Sequence, residues 1–348
     1  MIKLHIKKKW KDFSLDIAFE GSGEYLGLLG ASGSGKSMTL KCIAGIERPD
    51  WGYIILNDRV LFDSEKKINL SPQQRDAGYL FQNYALFPNM TVEENIVVGI
   101  HDKKEKEEEL ARQIKRFRLE GLEKRFPAQL SGGQQQRTAL ARMLAHKPEI
   151  ILLDEPFSAL DGYLKEKLQL EMLQALRDYN KDVLLVSHSR DDIYRFCQKV
   201  IAIDEGKVLQ TGSLKEIFLS PKSYKTARLT GCNNITEVEK VDAYSIYAKD
   251  WDIVLRTAQP VEDGICYVGI RSHDLRISDI EGENVFQMEL LDMIESPFEF
   301  KYHIKKVASN ARDSIWWKEY KALESEPEPA KFPCNLTIPK EKLLLLTK

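Results

Sequence analysis

The sequence has no run of roughly 18 or more apolar residues, so no segment reads as a bilayer-spanning helix. It has no excess of one charge: 51 Lys and Arg stand against 53 Asp and Glu, a net charge of −2. That balance argues against the basic surface of a nucleic-acid binder, and no nucleic-acid partner is expected. Cysteine is sparse. The five residues Cys42, Cys197, Cys232, Cys266 and Cys334 are dispersed and odd in number, with none of the close pairs that hold metals. They read as reduced thiols buried like small hydrophobes. The basic start, Met1 to Trp10, has no apolar core behind it and is not expected to act as a signal peptide.

What is present is material for about two domains, at roughly 100–200 residues each, in a chain of 348 residues. Over the first part, short apolar runs alternate with helical patterns, the layout of an α/β domain. Ile2–Ile6 and Phe13–Phe19 predict an opening antiparallel hairpin. Tyr25–Leu29, Ala77–Phe81, Ile150–Leu153 and Val183–Val186 predict strands of a buried parallel sheet. A helix is expected over Lys36–Ala44, stopped by Gly45. Val200–Asp204 and Lys207–Gln210, joined by Glu205-Gly206, predict a second hairpin. The charged stretch His101–Lys124 predicts a surface helix with Leu110, Ile114 and Phe117 as its buried stripe. Past Gly231 strand-like alternation takes over, as in Tyr244–Ala248 and Ile253–Leu255, and Glu324–Pro333 reads as a loop. The expected domains are therefore residues 1–231, with a helical subdomain at about 83–148, and a mostly β domain over 232–348.

Gly30-Ala31-Ser32-Gly33-Ser34-Gly35-Lys36-Ser37 fits the pattern G-x-x-x-x-G-K-[ST], after an apolar strand and ahead of a helix. Glycines let backbone N–H groups turn inward onto phosphate oxygens, and the helix N-terminus adds partial positive charge. Lys36 supplies a full charge for the outer phosphates of a nucleoside triphosphate. Ser37 offers a hydroxyl to Mg²⁺, which takes oxygen ligands. A flexible Gly/Ser linker would not sit between a buried strand and a helix. Ile150–Leu153 then runs into Asp154 and Glu155. A carboxylate at that strand end falls in the crevice where α/β sheets bind ligands. Asp154 is expected to hold the metal, and Glu155 to act as general base on the attacking water.

Leu130-Ser131-Gly132-Gly133-Gln134-Gln135-Gln136-Arg137 carries the residues of the ABC signature, and with it residues 1–220 resemble the ABC ATPase family. Further motifs follow in the family's order. Gln82 resembles the glutamine that reaches the metal and the catalytic water. Ser158-Ala159-Leu160-Asp161 resembles the D-loop, and His188 the switch histidine near the γ-phosphate. Ser189 departs from the acidic residue many relatives carry there, which leaves His188 in place. Trp10 stands where relatives stack an aromatic on adenine, with Phe13 as the alternative. The resemblance implies an ATP site over Trp10, Gly30–Ser37 and Met38, completed in a homodimer by Ser131, Gly132, Gly133, Gln134 and Asp161. It implies ATP and Mg²⁺ as ligands, with Ser37, Gln82 and Asp154 around the metal. Glu155, His188 and Gln82 are the expected catalytic set. The segment before Gln134 forms an anion site with no adenine pocket of its own, which is why two chains are needed.

One cassette with no fused membrane helices resembles an importer ATPase rather than an exporter or a two-cassette translation factor. Such a subunit is expected at the cytoplasmic face of the membrane as a peripheral protein. Its partners would be a permease and, indirectly, a solute-binding protein. Asn83–Pro88 would then lie near the groove that receives a permease helix, and Tyr84 and Phe87 suit either that groove or core packing. Lys8–Asp16, Gly269–Leu275, Pro297-Phe298-Glu299 and Trp316-Trp317 resemble ATPases of molybdate importers, whose C-terminal region is a small all-β domain of OB or MOP type. Molybdate or a related oxyanion is the expected cargo, with sulfate, tungstate, iron, sugar or polyamine as alternatives. A ligand-sensing regulatory ATPase is the competing class.

Overall fold

A computed structural model describes residues 1–100, 104–158, 162–179, 181–321 and 328–348. The chain divides into two compact units, Met1–Leu214 and Lys215–Lys348. The break precedes the boundary expected after Gly231, because residues 215–231 are bonded to the later unit. Arg271 donates to the carbonyls of Phe218 and Thr230, and Tyr224 N–H donates to Thr347 O at 3.0 Å.

Among the described residues of the first unit, one sheet has eleven strands. They are β1 (Ile2–Trp10), β2 (Phe13–Gly21), β3 (Tyr25–Leu29), β4 (Trp51–Leu56), β5 (Arg59–Asp63), β6 (Ile68–Asn69), β7 (Ala77–Leu80), β8 (Ile150–Asp154), β9 (Asp182–Ser187), β10 (Lys199–Asp204) and β11 (Lys207–Ser213). Their order is β6-β5-β4-β1-β2-β11-β10-β3-β9-β8-β7. β1 and β2 pair antiparallel, down to Trp10 opposite Phe13. β10, β3, β9, β8 and β7 are parallel neighbours. Leu26, Leu28, Ile150, Leu152, Leu184 and Val186 fill the centre, where apolar runs are covered on both faces. Parallel alignment has one consequence for function. Residues that follow β3, β7, β8 and β9 emerge together at one sheet edge, although they lie far apart in the chain.

The helices are α1 (Lys36–Ala44), α2 (Val92–Val97), α3 (Lys106–Arg116), α4 (Gly132–Ala145), α5 (Gly162–Tyr179) and α6 (Arg190–Phe196). No described helix is long and apolar enough to cross a membrane. α3 is shorter than the expected His101–Lys124. Residues 101–103 lie outside the described residues, and Arg118 takes a left-handed φ of 52°, which ends helical pairing. Of the expected stripe, Ile114 and Phe117 are buried. Glu109 and Gln113 are buried beside Ile114, and Gln113 Nε2 donates to Glu109 Oε1 at 2.6 Å, while Leu110 is half-buried.

Arg75 anchors α1 from below. It is 1% exposed and donates to Leu70 O, Cys42 O, Ile43 O and Asn69 Oδ1 at 2.7–3.0 Å. Two of those carbonyls belong to the last turn of α1, where the helix dipole favours a cation. Arg75→Met leaves them without this donor and is expected to cost about 3 kcal/mol. A urea-unfolding midpoint equal to that of the unaltered chain would reject this role.

Among the described residues of the second unit, two five-stranded antiparallel sheets follow the helices Leu214–Leu219 and Tyr224–Leu229. One draws its strands from Asn234–Ile270 and adds Leu344–Leu346; the other lies within Arg276–Thr337. Trp251, Leu255, Val268, Tyr302, Trp317 and Leu336 join both sheets in one core. The all-β character expected of this region is present. Residues 324–327 of the expected Glu324–Pro333 loop lie outside the described residues.

Candidate functional site

The loop Gly30–Ser37 joins β3 to α1 and lies at the sheet edge just described. Gly35 caps α1 with φ 103°, and a Cβ there would meet Leu15 Cδ1 at 2.6 Å. Only glycine combines that backbone with that clearance. The loop is held from outside by the β10–β11 turn: Gly206 N–H donates to Ser34 O at 3.1 Å, and Asp16 N–H to Gly206 O at 2.7 Å. A Cβ on Gly206 would sit 2.0 Å from Ser14 O, so the turn fits the gap only as glycine. Lys36 is 4% exposed, and its Nζ donates to Gly30 O at 2.9 Å and Ala31 O at 2.7 Å. Burial lowers the Lys36 pKa, and the Glu155 and Asp154 carboxylates oppose that shift.

Asp154 ends β8, two strands from β3. Ser37 Oγ donates to its Oδ1 at 2.7 Å, and Tyr79 OH to its Oδ2 at 2.8 Å. No motif in the sequence marks Tyr79. It lies on β7 beside β8, and burial together with the Asp154 charge pushes its phenol pKa up, keeping it a donor. Hydroxyl and carboxylate oxygens meeting at one point form a donor set that suits a hard dication such as Mg²⁺. Glu155 follows in a left-handed conformation, φ 47°, which turns its side chain off the strand. Its Oε2 lies 3.2 Å from His188 Nδ1, beyond the end of β9. Gln82, beyond β7, donates from Nε2 to Ser158 Oγ at 3.3 Å. Phosphate loop, Asp154, Glu155, Gln82 and His188 therefore converge at one edge.

Other expected residues stand elsewhere. Ser131 caps α4: its Oγ accepts from Gln134 N–H at 3.3 Å, and Gln134 Oε1 accepts from Ser131 N–H at 2.9 Å. The helix begins at Gly132, because this reciprocal cap closes on Ser131. Among the described residues, Ser131–Gln134 share no hydrogen bond with Gly30–Ser37. The same helix reaches the loop after Glu155 through Gln136 Nε2, which donates to Pro156 O at 3.0 Å. Met38 packs half-buried on α1. Asp161 lies outside the described residues. Trp10 is 45% exposed at the β1–β2 turn, with the Lys8 ammonium 5.7 Å from its ring centre. Phe13 lies closer to the loop. It lines a cleft of about 470 Å³ with Ser32, Gly33, Ser34, Glu205 and Lys207. Of the two aromatics after Gln82, Tyr84 is buried at 6% exposure and Phe87 is 43% exposed.

Residues 11–158 match the sequence profile described as ABC transporter. The chain is 46% identical over 221 residues to the Fe(3+) ions import ATP-binding protein FbpC of Haemophilus influenzae (strain 86-028NP); the match covers 62% of this chain and 62% of that relative's length. It is 36% identical over 277 residues to the sulfate/thiosulfate import ATP-binding protein CysA 2 of Rhizobium meliloti (strain 1021); the match covers 77% of this chain and 72% of that relative's length. Among solved structures, a dimeric ATP-binding cassette in a post-hydrolysis state with ADP and phosphate is 28% identical. It superposes with a TM-score of 0.52 and covers 62% of this chain and 99% of its own. That likeness agrees with the α/β cassette fold of the first unit.

Proposed function

This chain belongs to the ATP-binding proteins of the ABC transporter family, and on that premise we propose that two copies of it bind and hydrolyse ATP to drive an importer permease. One observation carries the reading: four parallel strands deliver the phosphate loop, the Asp154-Glu155 pair, Gln82 and His188 to a single edge, while Ser131–Gln134 open a helix elsewhere. Backbone N–H groups of Gly30–Ser37 and the start of α1 hold the phosphates, with Lys36 on the outer ones. Ser37 and Asp154, assisted by Gln82, would hold Mg²⁺, which when bound neutralises phosphate charge. Glu155 accepts a proton from the attacking water, and His188, at hydrogen-bond distance, orients that carboxylate. Ser131, Gly132, Gly133 and Gln134 of one chain cap the γ-phosphate held by the other, with Asp161 nearby. The subunit works at the cytoplasmic face of the membrane on a permease, served by a solute-binding protein.

The cargo reading rests on different ground. Resemblance to molybdate-importer ATPases, together with the likeness to a sulfate/thiosulfate import protein, supports an oxyanion. The higher identity to an iron import protein supports Fe(3+) as the second reading. Transport assays in vesicles holding the copurified permease, with radiolabelled molybdate, sulfate and Fe(3+) in competition, separate the two. The second unit, all β and without a catalytic cluster of its own among the described residues, has a regulatory role in this account. Arg271 spends its donors on Phe218 and Thr230, so it serves that unit's internal structure.

Adenine recognition is testable by mutation. Base stacking on an aromatic contributes roughly 1–3 kcal/mol. Trp10→Ala is therefore expected to weaken ATP, ADP and AMP alike by about tenfold. Normal binding by Trp10→Ala with a loss in Phe13→Ala would move the stacking role to the ring that lines the cleft.

A further inference from the structure

Asp154 is 6% exposed, and each of its carboxylate oxygens accepts from a different donor. Ser37 Oγ gives its proton to Oδ1 at 2.7 Å and keeps lone pairs for a cation. Tyr79 OH donates to Oδ2 at 2.8 Å. The phosphate-loop motif accounts for Ser37, but nothing in that motif asks for Tyr79. The β7–β8 register explains how it arrives. Tyr79 stands opposite Leu152, so its side chain shares a face with Leu152 and with Asp154, two residues further along β8. Its ring centre lies 4.4 Å from that of Phe81, two residues on, a contact that steadies the direction of the phenol.

A hydroxyl is not needed to fill this space. Phenylalanine would keep the contact with Phe81 and the packing against the core, and would lose only the donor. What the donor does is occupy one oxygen of a carboxylate that stands beside Ser37. The two common hard dications ask different things of such a group. Ca²⁺ takes carboxylates through one oxygen or both, in adaptable geometry at about 2.3–2.6 Å. Mg²⁺ demands a near-ideal octahedron at about 2.0–2.1 Å and keeps several waters. With Oδ2 committed to Tyr79, Asp154 has Oδ1 to turn towards a cation, on the side where Ser37 stands. That arrangement suits Mg²⁺ and denies Ca²⁺ a two-oxygen grip. A charge-assisted hydrogen bond is among the strong ones, and it must be shared or broken before Oδ2 can serve a metal.

We propose that Tyr79 is a positioning residue that sets the cation preference of the site: by holding Asp154 Oδ2 it leaves one carboxylate oxygen for the metal, and so favours Mg²⁺ over Ca²⁺ beside the nucleotide. The proposal rests on the reading of this chain as an ATPase whose metal is held by Ser37 and Asp154. Loss of a partner that orients a metal ligand typically costs about ten- to a hundredfold in metal affinity. Without the Tyr79 hydroxyl that cost falls on Mg²⁺. Ca²⁺ loses the same orienting bond but gains the second oxygen, which offsets it.

The experiment is isothermal titration of a non-hydrolysable ATP analogue into the full chain, in Mg²⁺, in Ca²⁺ and in EDTA, for the unaltered chain and for Tyr79→Phe. The ratio of the affinities in Mg²⁺ and in Ca²⁺, taken within each chain, cancels any general loss of nucleotide binding. That ratio is expected to fall by about tenfold in Tyr79→Phe, with the affinity in EDTA unchanged. A hydroxyl that served only to stabilise the fold would weaken binding by one factor in all three conditions and leave the ratio where it was. An unchanged ratio therefore overturns the proposal, whatever happens in EDTA. Should Tyr79→Phe bind nucleotide in none of the three, the unaltered chain decides: an affinity no higher in Mg²⁺ than in Ca²⁺ overturns the proposal equally. Absence of nucleotide binding to the unaltered chain in every condition is a different outcome. It sinks the ATPase reading itself, and the proposal with it.

Discussion

Glu155→Gln is expected to lower ATP turnover by about 10²- to 10⁴-fold while leaving ATP binding intact. The amide keeps the size and hydrogen-bonding capacity of the carboxylate but cannot take a proton. Its backbone already sits at φ 47°, held by its own N–H donating to Val186 O at 3.0 Å, and that arrangement does not depend on the side chain. The His188 contact at 3.2 Å survives as an ordinary hydrogen bond. The loss should therefore fall on the chemical step and not on affinity. Single-turnover kinetics with saturating ATP check this. Near-normal turnover would remove Glu155 from the role of base.

Lys36→Ala is expected to weaken ATP by about ten- to a hundredfold, the scale of losing a charge-assisted hydrogen bond. The side chain is buried between the carbonyls of Gly30 and Ala31 and feels both Asp154 and Glu155. Removing it takes away the cation proposed to face the phosphates and leaves the two carboxylates of Asp154 and Glu155 without it. The loss should grow from AMP through ADP to ATP, because Lys36 acts on the outer phosphates. Trp10→Ala should instead penalise all three equally. Isothermal titration of the three nucleotides separates the cases, and equal losses for Lys36→Ala would place its role elsewhere.

The parallel strands and the phosphate loop were legible because apolar runs bounded by Gly30 and by Asp154-Glu155 carry their own local signals. Their convergence followed from parallel pairing. Tyr79 and Arg75 were not legible. Each acts through a neighbour fixed only by tertiary structure: the β7–β8 register for Tyr79 and the end of α1 for Arg75. The helix expected over His101–Lys124 overran because charge density does not mark where Arg118 turns left-handed. Tyr84 and Phe87 looked alike as aromatics, and the bend at Tyr84–Ala85 sends one inward and leaves the other exposed. The unit boundary fell before Gly231 because hydrogen bonds from Arg271 and Thr347, far along the chain, claim the preceding helices.

The central claim is that ATP held by one chain is capped by Ser131–Gln134 of a second. Light scattering of the full-length Glu155→Gln chain tests it most directly, with and without ATP and with Ser131→Arg added in the same background. ATP is expected to raise the molar mass towards twice the monomer value, and Ser131→Arg to abolish the rise while ATP still binds. A molar mass indifferent to ATP, or a rise that persists with Arg at position 131, would contradict it.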